Sequence, residues 1–227
     1  GLDSSIVAAV MAKEMGGNLK TYAVGFGDLA LDELPYARLV AQHIGSDHSE
    51  IILERDGYFD LLPDLIAKRG APLAVPNEPP LYALSQALKE DITVVLSGEG
   101  ADELFGGYSD YHGMGFDYAK AKNLRSSPSF LRHILTGGMD KKYGTQFWDL
   151  SPKDFFLAGY HWFSPEDCQK LLNPVVFQQG SSFVSEMLDT FFDESSASAF
   201  FSHLFSFYQK VHLQNLLNRV DLSLIHI

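Results

Sequence analysis

The run Ile92-Thr93-Val94-Val95-Leu96 passes without a break into Ser97-Gly98-Glu99-Gly100-Ala101-Asp102-Glu103-Leu104-Phe105-Gly106-Gly107-Tyr108. The first five residues are apolar or β-branched, the composition of a buried strand. The next seven are the reverse: three carboxylates within five positions, interleaved with small residues, are poor material for a core. In open parallel sheets ligands bind beyond the carboxyl ends of the strands, where this cluster would fall. Glu99 and Asp102 are three apart, so one helical turn sets both on one side. Like charges so placed repel unless a cation or a donor compensates. Magnesium suits that role, because it takes hard oxygen ligands and shares them with phosphate. The competing reading is a solvated acidic turn.

Working back from this stretch, two hydrophobic periods alternate. Ser4–Met15 has apolar residues at helical spacing and stops at Gly16-Gly17. Leu19–Phe26 reads as a buried strand, Glu33–Ile44 as a helix capped by Asp32, and His48–Glu54 as a second strand. Tyr58–Arg69 and Pro79–Lys89 read as further helices. Such alternation predicts an α/β fold, a parallel sheet wound on both faces. Beyond about Asp110 the strand signals end. Ser151–Gly159, Ser181–Phe192 and Ala197–Asn218 are helical, with a loose stretch at Asn123–Ser129, so a mostly helical second half is expected. The boundaries read as an α/β core over 1–109 and a helical continuation over 110–221.

Gly1-Leu2-Asp3-Ser4-Ser5 stands at the amino end of the first helix. Glycine admits close backbone approach, hydroxyls and free amides donate, and the helix dipole favours an anion: a phosphate cradle. Ser or Asp before a helix is more often a simple cap, so this motif alone is weak. The chain has no G-x-x-x-x-G-K-[ST] loop.

Together the two motifs resemble the asparagine synthetase family, within the ATP-pyrophosphatase superfamily. Gly1–Ser5 is similar to the later part of its S-G-G-[LI]-D-S-S pyrophosphate loop, and Ser97–Tyr108 to its S-G-E-G-A-D-E-L-F-G-G-Y signature. Ala23-Val24-Gly25-Phe26 resembles the segment whose backbone holds adenine. The resemblance implies that Gly1, Leu2, Asp3, Ser4 and Ser5 bind the pyrophosphate of ATP, and that Val24, Gly25, Ser97 and Gly98 touch the nucleotide. Asp3 and Asp102 would hold Mg2+, and Glu99 would orient the reacting centre, Glu99 and Asp102 being the catalytic pair. It further implies ATP as substrate, a carboxylate acceptor (aspartate or a related acid), and ammonia from a glutaminase domain that this chain lacks. Two alternatives stay open: another adenylating member, such as a β-lactam synthetase, or a nucleotide-binding module without catalysis.

Three departures qualify the resemblance. The Ser-Gly-Gly and its strand are missing ahead of Gly1, so the chain is expected to be a fragment with unpaired sheet edges, neither stable nor active by itself. Pro76-Asn77-Glu78-Pro79-Pro80-Leu81-Tyr82 stands where asparagine synthetases carry an R-A-S-T-P-M-Y-like stretch, which argues against aspartate as acceptor. His212–Asp221 resembles the family's H-x-x-x-L-L-x-R-x-D segment, but Leu222–Ile227 does not continue it. Those last residues read as a non-native tail, translated from a sequencing adapter.

Composition sets the outer limits. A net charge of −12, with the carboxylates scattered, argues against a nucleic-acid surface. The single cysteine, Cys168, excludes an internal disulfide framework and a Cys-rich zinc cluster, and suits a cytoplasmic setting. No apolar run approaches the ~20 residues of a membrane span. A homodimer is allowed by the sequence. The aromatic groups around Phe155–Phe163 and Phe200–Tyr208 are expected to be helical core, or surface meant for the missing parts.

Overall fold

Helix and strand alternate from the second residue of the computed structural model, which describes residues 1–27, 32–70, 72–73, 75–89, 91–136, 138–161, 163–192 and 199–224. The chain forms two compact units, residues 1–101 with 213–227, and residues 102–212.

In the first unit, helix α1 (Leu2–Met15) ends where Gly16 turns left-handed at φ 67°. Strand β1 (Lys20–Gly25), helix α2 (Leu34–Ile44) and strand β2 (Asp47–Ile52) form a βαβ unit. The strands pair in parallel, from Lys20 opposite Asp47 to Gly25 opposite Ile52. The expected α/β class and parallel pairing are therefore present. The helix read over Tyr58–Arg69 is two, α3 (Arg55–Asp60) and α4 (Leu62–Arg69). The break falls just before Pro63, in the first turn of α4, where proline has no N–H to donate to the turn behind it. Helix α5 (Glu78–Leu88) opens on Glu78, Pro79 and Pro80, all buried. Glu78 is held at 2.5 Å by Arg69, and the buried Tyr82 hydroxyl meets both Asp64 and Lys68.

Two expectations fail here. Ile92–Leu96 is not a strand, and Val94, Val95 and Leu96 are 76%, 54% and 58% exposed. The segment starts beside β1, where Asp91 accepts from Tyr22 Oη at 3.0 Å and pairs with Lys20 at 3.2 Å. Among the described residues the sheet contains only β1 and β2. A β-branched run needs a neighbour's N–H and C=O groups to become a strand, and none of the described residues pairs with it in that way. Nor does Asp32 cap α2: Glu33 holds the N-cap position without a side-chain bond, and the Asp32 carboxylate reaches back to the backbone after β1.

The second unit begins inside the short helix α6 (Ala101–Phe105). It continues through α7 (Ser109–Arg125), α8 (Ser129–Leu135), α9 (Met139–Tyr143), α10 (Pro152–Gly159), α11 (Pro165–Leu171), α12 (Pro174–Asp189) and α13 (Phe200–Phe207). Ser151, Ser164 and Asn173 cap α10, α11 and α12, each followed by a proline at the first helical position. A π turn over Tyr208–His212 follows α13. The final helix α14 (Leu213–Leu224) belongs to the first unit and packs there on α4 and α5. The elements of the second unit are all helices among its described residues. Its core is aromatic: Phe147, Phe155, Phe156, Phe200 and Tyr208 are buried, while Phe163 is exposed and Trp162 lies outside the described residues. Tyr118 stacks on Phe200 and Tyr143 on Phe155, each with centroids 4.2 Å apart.

The Tyr208 hydroxyl is buried and has no hydrogen-bond partner among the described residues, and burial pushes its pKa far above the usual phenol value. Removing an unsatisfied buried hydroxyl costs nothing in hydrogen bonding. Tyr208→Phe in the complete protein should therefore be neutral or stabilising by up to about 1 kcal/mol in chemical denaturation. Phe155→Ala, which empties a site at 0% exposure, should cost about 3–5 kcal/mol. A loss above about 1 kcal/mol for Tyr208→Phe would mean that the hydroxyl is bonded after all.

Candidate active site

The amino end of α1 is shaped by its glycine. Gly1 is the N-cap and lends no side chain; its carbonyl accepts from Ser5 N at 3.2 Å and from Ser5 Oγ at 2.8 Å. The Ser5 hydroxyl is thus spent within the turn, whereas Ser4 is exposed. The decisive contact comes from the far end of the unit's sequence. A Cβ built on Gly98 would lie 2.6 Å from the Ser4 backbone nitrogen and 2.9 Å from both Asp3 Cβ and Ser4 Oγ. Only glycine permits that approach. The turn after Leu96 therefore lies directly against the first turn of α1, and Asp3, Ser4 and Gly98 share one place.

Neighbouring residues hold the turn in shape. Ser97 Oγ accepts from Glu99 N at 3.3 Å. Gly100, at φ 92°, is buried against Leu213, whose Cδ1 stands 3.0 Å from where a Cβ would be. Val24 and Gly25 close β1 at its carboxyl end, and Gly25 O accepts from Leu53 N at 2.8 Å.

The rest of the acidic signature lies in the second unit. The Asp102 carbonyl accepts from both Gly106 N at 2.9 Å and Gly107 N at 3.1 Å, closing α6. A Cβ on Gly107 would collide with the Asp102 carboxylate, coming within 2.8 Å of Cγ. The bare Gly107 is what leaves that carboxylate its room. Glu103 behaves differently from its neighbours. It is 0% exposed, its Oε1 accepts from Tyr108 Oη at 2.6 Å, and His212 Nε2 stands 3.7 Å away. One of the three carboxylates is therefore core after all, held by a tyrosine and a histidine that the reading by residue type did not connect with it. The Glu-x-x-x-x-Tyr spacing was the available signal.

Of the residues expected at the site, Gly1, Leu2, Asp3, Ser4, Ser5, Val24, Gly25, Ser97, Gly98 and Glu99 all lie in the first unit, and Asp102 opens the second. Among the described residues no three His, Cys, Asp or Glu side chains converge on a point that could hold a metal. The carboxylates of Asp3 and of Asp102 are each the kind of hard oxygen donor that magnesium takes together with substrate phosphates.

The asparagine synthase family model matches residues 1–221. The chain is 40% identical over 135 residues to asparagine synthetase (glutamine-hydrolyzing) 1 of Bacillus subtilis, covering 60% of the chain and 21% of that protein. It is 34% identical over 146 residues to a Mycobacterium tuberculosis protein also named as an asparagine synthetase (glutamine-hydrolyzing), covering 63% and 22%. With the human asparagine synthetase (glutamine-hydrolyzing) it shares 35% over 121 residues, 49% of the chain and 21% of that protein. The chain thus spans about a fifth of the length of these relatives.

Because the Gly98 contact is with backbone, it cannot be relieved by a rotamer change. Gly98→Ala in the complete protein should displace the turn from Ser4 and cost about 1–3 kcal/mol in thermal or chemical melts. Gly1→Ala, at a position with nothing within 4 Å, should leave stability within about 0.5 kcal/mol. Equal melting of the Gly98→Ala and unsubstituted proteins would contradict the close approach.

Proposed function

The chain belongs to the asparagine synthase family, and from that premise we propose that the complete protein uses ATP to adenylate a carboxylate and passes the acyl group to ammonia. The observation that carries the proposal is the seat of Gly98 on Ser4, which unites a helix amino end with the acidic signature's first turn. Helix amino ends and bare backbone suit phosphate. In this reading Gly1, Leu2, Asp3, Ser4 and Ser5 cradle the β- and γ-phosphates, Ser97 and Gly98 line the nucleotide, and Val24 and Gly25 meet the base. Asp3 and Asp102 are the carboxylates we assign to magnesium. Bound magnesium would neutralise phosphate oxygens as a Lewis acid.

The reaction then depends on alignment. A carboxylate oxygen attacks the α-phosphorus, the bond to the bridging oxygen breaks, and pyrophosphate leaves. Ammonia next attacks the acyl carbon, and AMP departs with the oxygen that had belonged to the acceptor. Such transfer needs positioning and charge stabilisation more than covalent help from the protein. Glu99, on the turn that Gly98 anchors, is the residue we assign to orient the acceptor. Ammonia comes from glutamine in a domain outside this chain, a reading supported by the names of its relatives. No helix among the described residues is long and apolar enough to cross a membrane, and these substrates suit the cytoplasm.

The test is ATP–pyrophosphate exchange on the complete protein with a panel of candidate acids. Asp102→Asn should abolish exchange while sparing the fold, because a lost metal ligand costs several kcal/mol of charge stabilisation. Near-normal exchange would remove Asp102 from the metal site. Glu99→Gln should hold ATP affinity within a few-fold and depress turnover; unfolding instead would make Glu99 structural. Exchange with no acid, beside measurable ATP binding, would favour a binding module. Aspartate is expected to be a poor acceptor because of the Pro76–Tyr82 departure. Asparagine formation at a turnover on the order of 1–10 per second would overturn that expectation.

A further inference from the structure

We infer that Asp32 is the positioning residue for the base-binding turn, and that its charge keeps phosphate away from the carboxyl end of β1. The inference rests on the ATP reading given above. Asp32 stands outside both sequence motifs, and by type it reads as a helix cap. Its carboxylate does something else. One oxygen accepts from Phe26 N at 2.6 Å and the other from Gly27 N at 3.0 Å. Two consecutive backbone donors on one carboxylate form a clamp, since charge-assisted bonds of this kind are about twice as strong as neutral ones.

The clamp sits over the last residue of the strand. A Cβ at Gly25 would be 3.1 Å from Asp32 Oδ2 and 2.8 Å from Leu34 Cγ, so Asp32 and the buried Leu34 together close over Gly25 from the α2 side. Gly27 makes the bend at φ 73°, a left-handed conformation that side chains resist. The backbone is thereby held at 24 and 25 by the ladder to β2 and at 26 and 27 by Asp32. A nucleotide base read through backbone groups needs such a fixed edge.

Charge gives the second half of the argument. Consecutive backbone N–H groups beyond a parallel strand would ordinarily attract an anion. Here both are occupied by a carboxylate. Arg38, a cation of α2, is bound at 2.7 Å through both Nε and Nη2 to Glu50. This strand end therefore repels phosphate, whereas the amino end of α1 offers backbone donors with Gly98 beside it. ATP is sorted along the site: polyphosphate to α1, the uncharged base to β1.

The experiment compares AMP and inorganic pyrophosphate as separate calorimetric probes on the complete protein. Asp32→Ala removes the clamp, and Asp32→Asn keeps the size and one acceptor. The expected result is AMP affinity weakened about tenfold or more in Asp32→Ala, less in Asp32→Asn, with pyrophosphate affinity within about twofold in both. Retained pyrophosphate binding also reports that each variant is folded. Unchanged AMP affinity in the two variants would overturn the role of Asp32 and leave the ATP reading standing. Parallel loss of both probes in Asp32→Asn would overturn it too, since Asp32 would then support the whole unit rather than the base. Failure of the unsubstituted protein to bind either probe would instead sink the ATP reading itself.

Discussion

Everything proposed for this chain depends on the missing side chain at Gly98. A single methyl group there would lie 2.6 Å from the Ser4 backbone nitrogen, and the turn would have to leave the helix. With hydrogen in its place, two segments from opposite ends of the first unit's α/β sequence meet backbone to backbone. A helix amino end alone is the commonest of features and usually carries no ligand. Joined to an acidic turn by a contact that excludes every other residue, it becomes a specific place. The family match over residues 1–221 covers both segments.

The second unit uses glycine in the same way. Gly107 leaves space for the Asp102 carboxylate, while Gly106, at φ 75°, carries the chain back so that Tyr108 can reach Glu103. Asp102 therefore owes its setting to the neighbour that is buried. Glu103 fixes α6 from the inside, through Tyr108 and His212, and the next carboxylate along is left beside bare backbone. A cluster that looked uniformly solvent-facing divides into one fully buried member, Glu103, and two only partly buried ones, Glu99 and Asp102. Burial, rather than residue type, makes the division.

How much of this was legible in advance depends on range. Local periodicity found α1, β1, α2, β2 and α5 nearly to the residue, because capping glycines, prolines and apolar spacing act within a turn or two. It failed wherever the partner was distant. Ile92–Leu96 has every local mark of a strand, yet strands exist only in pairs. Asp32 has the local mark of a cap, yet Phe26 and Gly27 offered it better donors six and five residues back. The return of α14 to the first unit, where Leu213 fills the space above Gly100, has no signal in composition or period. The site motifs were legible as motifs; that Gly98 touches Ser4 was not.

The most direct test of the adenylation claim tracks an oxygen atom. The complete protein is supplied with ATP, ammonia and an acceptor acid labelled with oxygen-18 in its carboxylate, and the products are weighed by mass spectrometry. If the carboxylate attacks the α-phosphorus at this site, one labelled oxygen appears in AMP for each amide formed, and the pyrophosphate carries none. Label in inorganic phosphate, with ADP in place of AMP, would mean an acyl phosphate and would contradict the account.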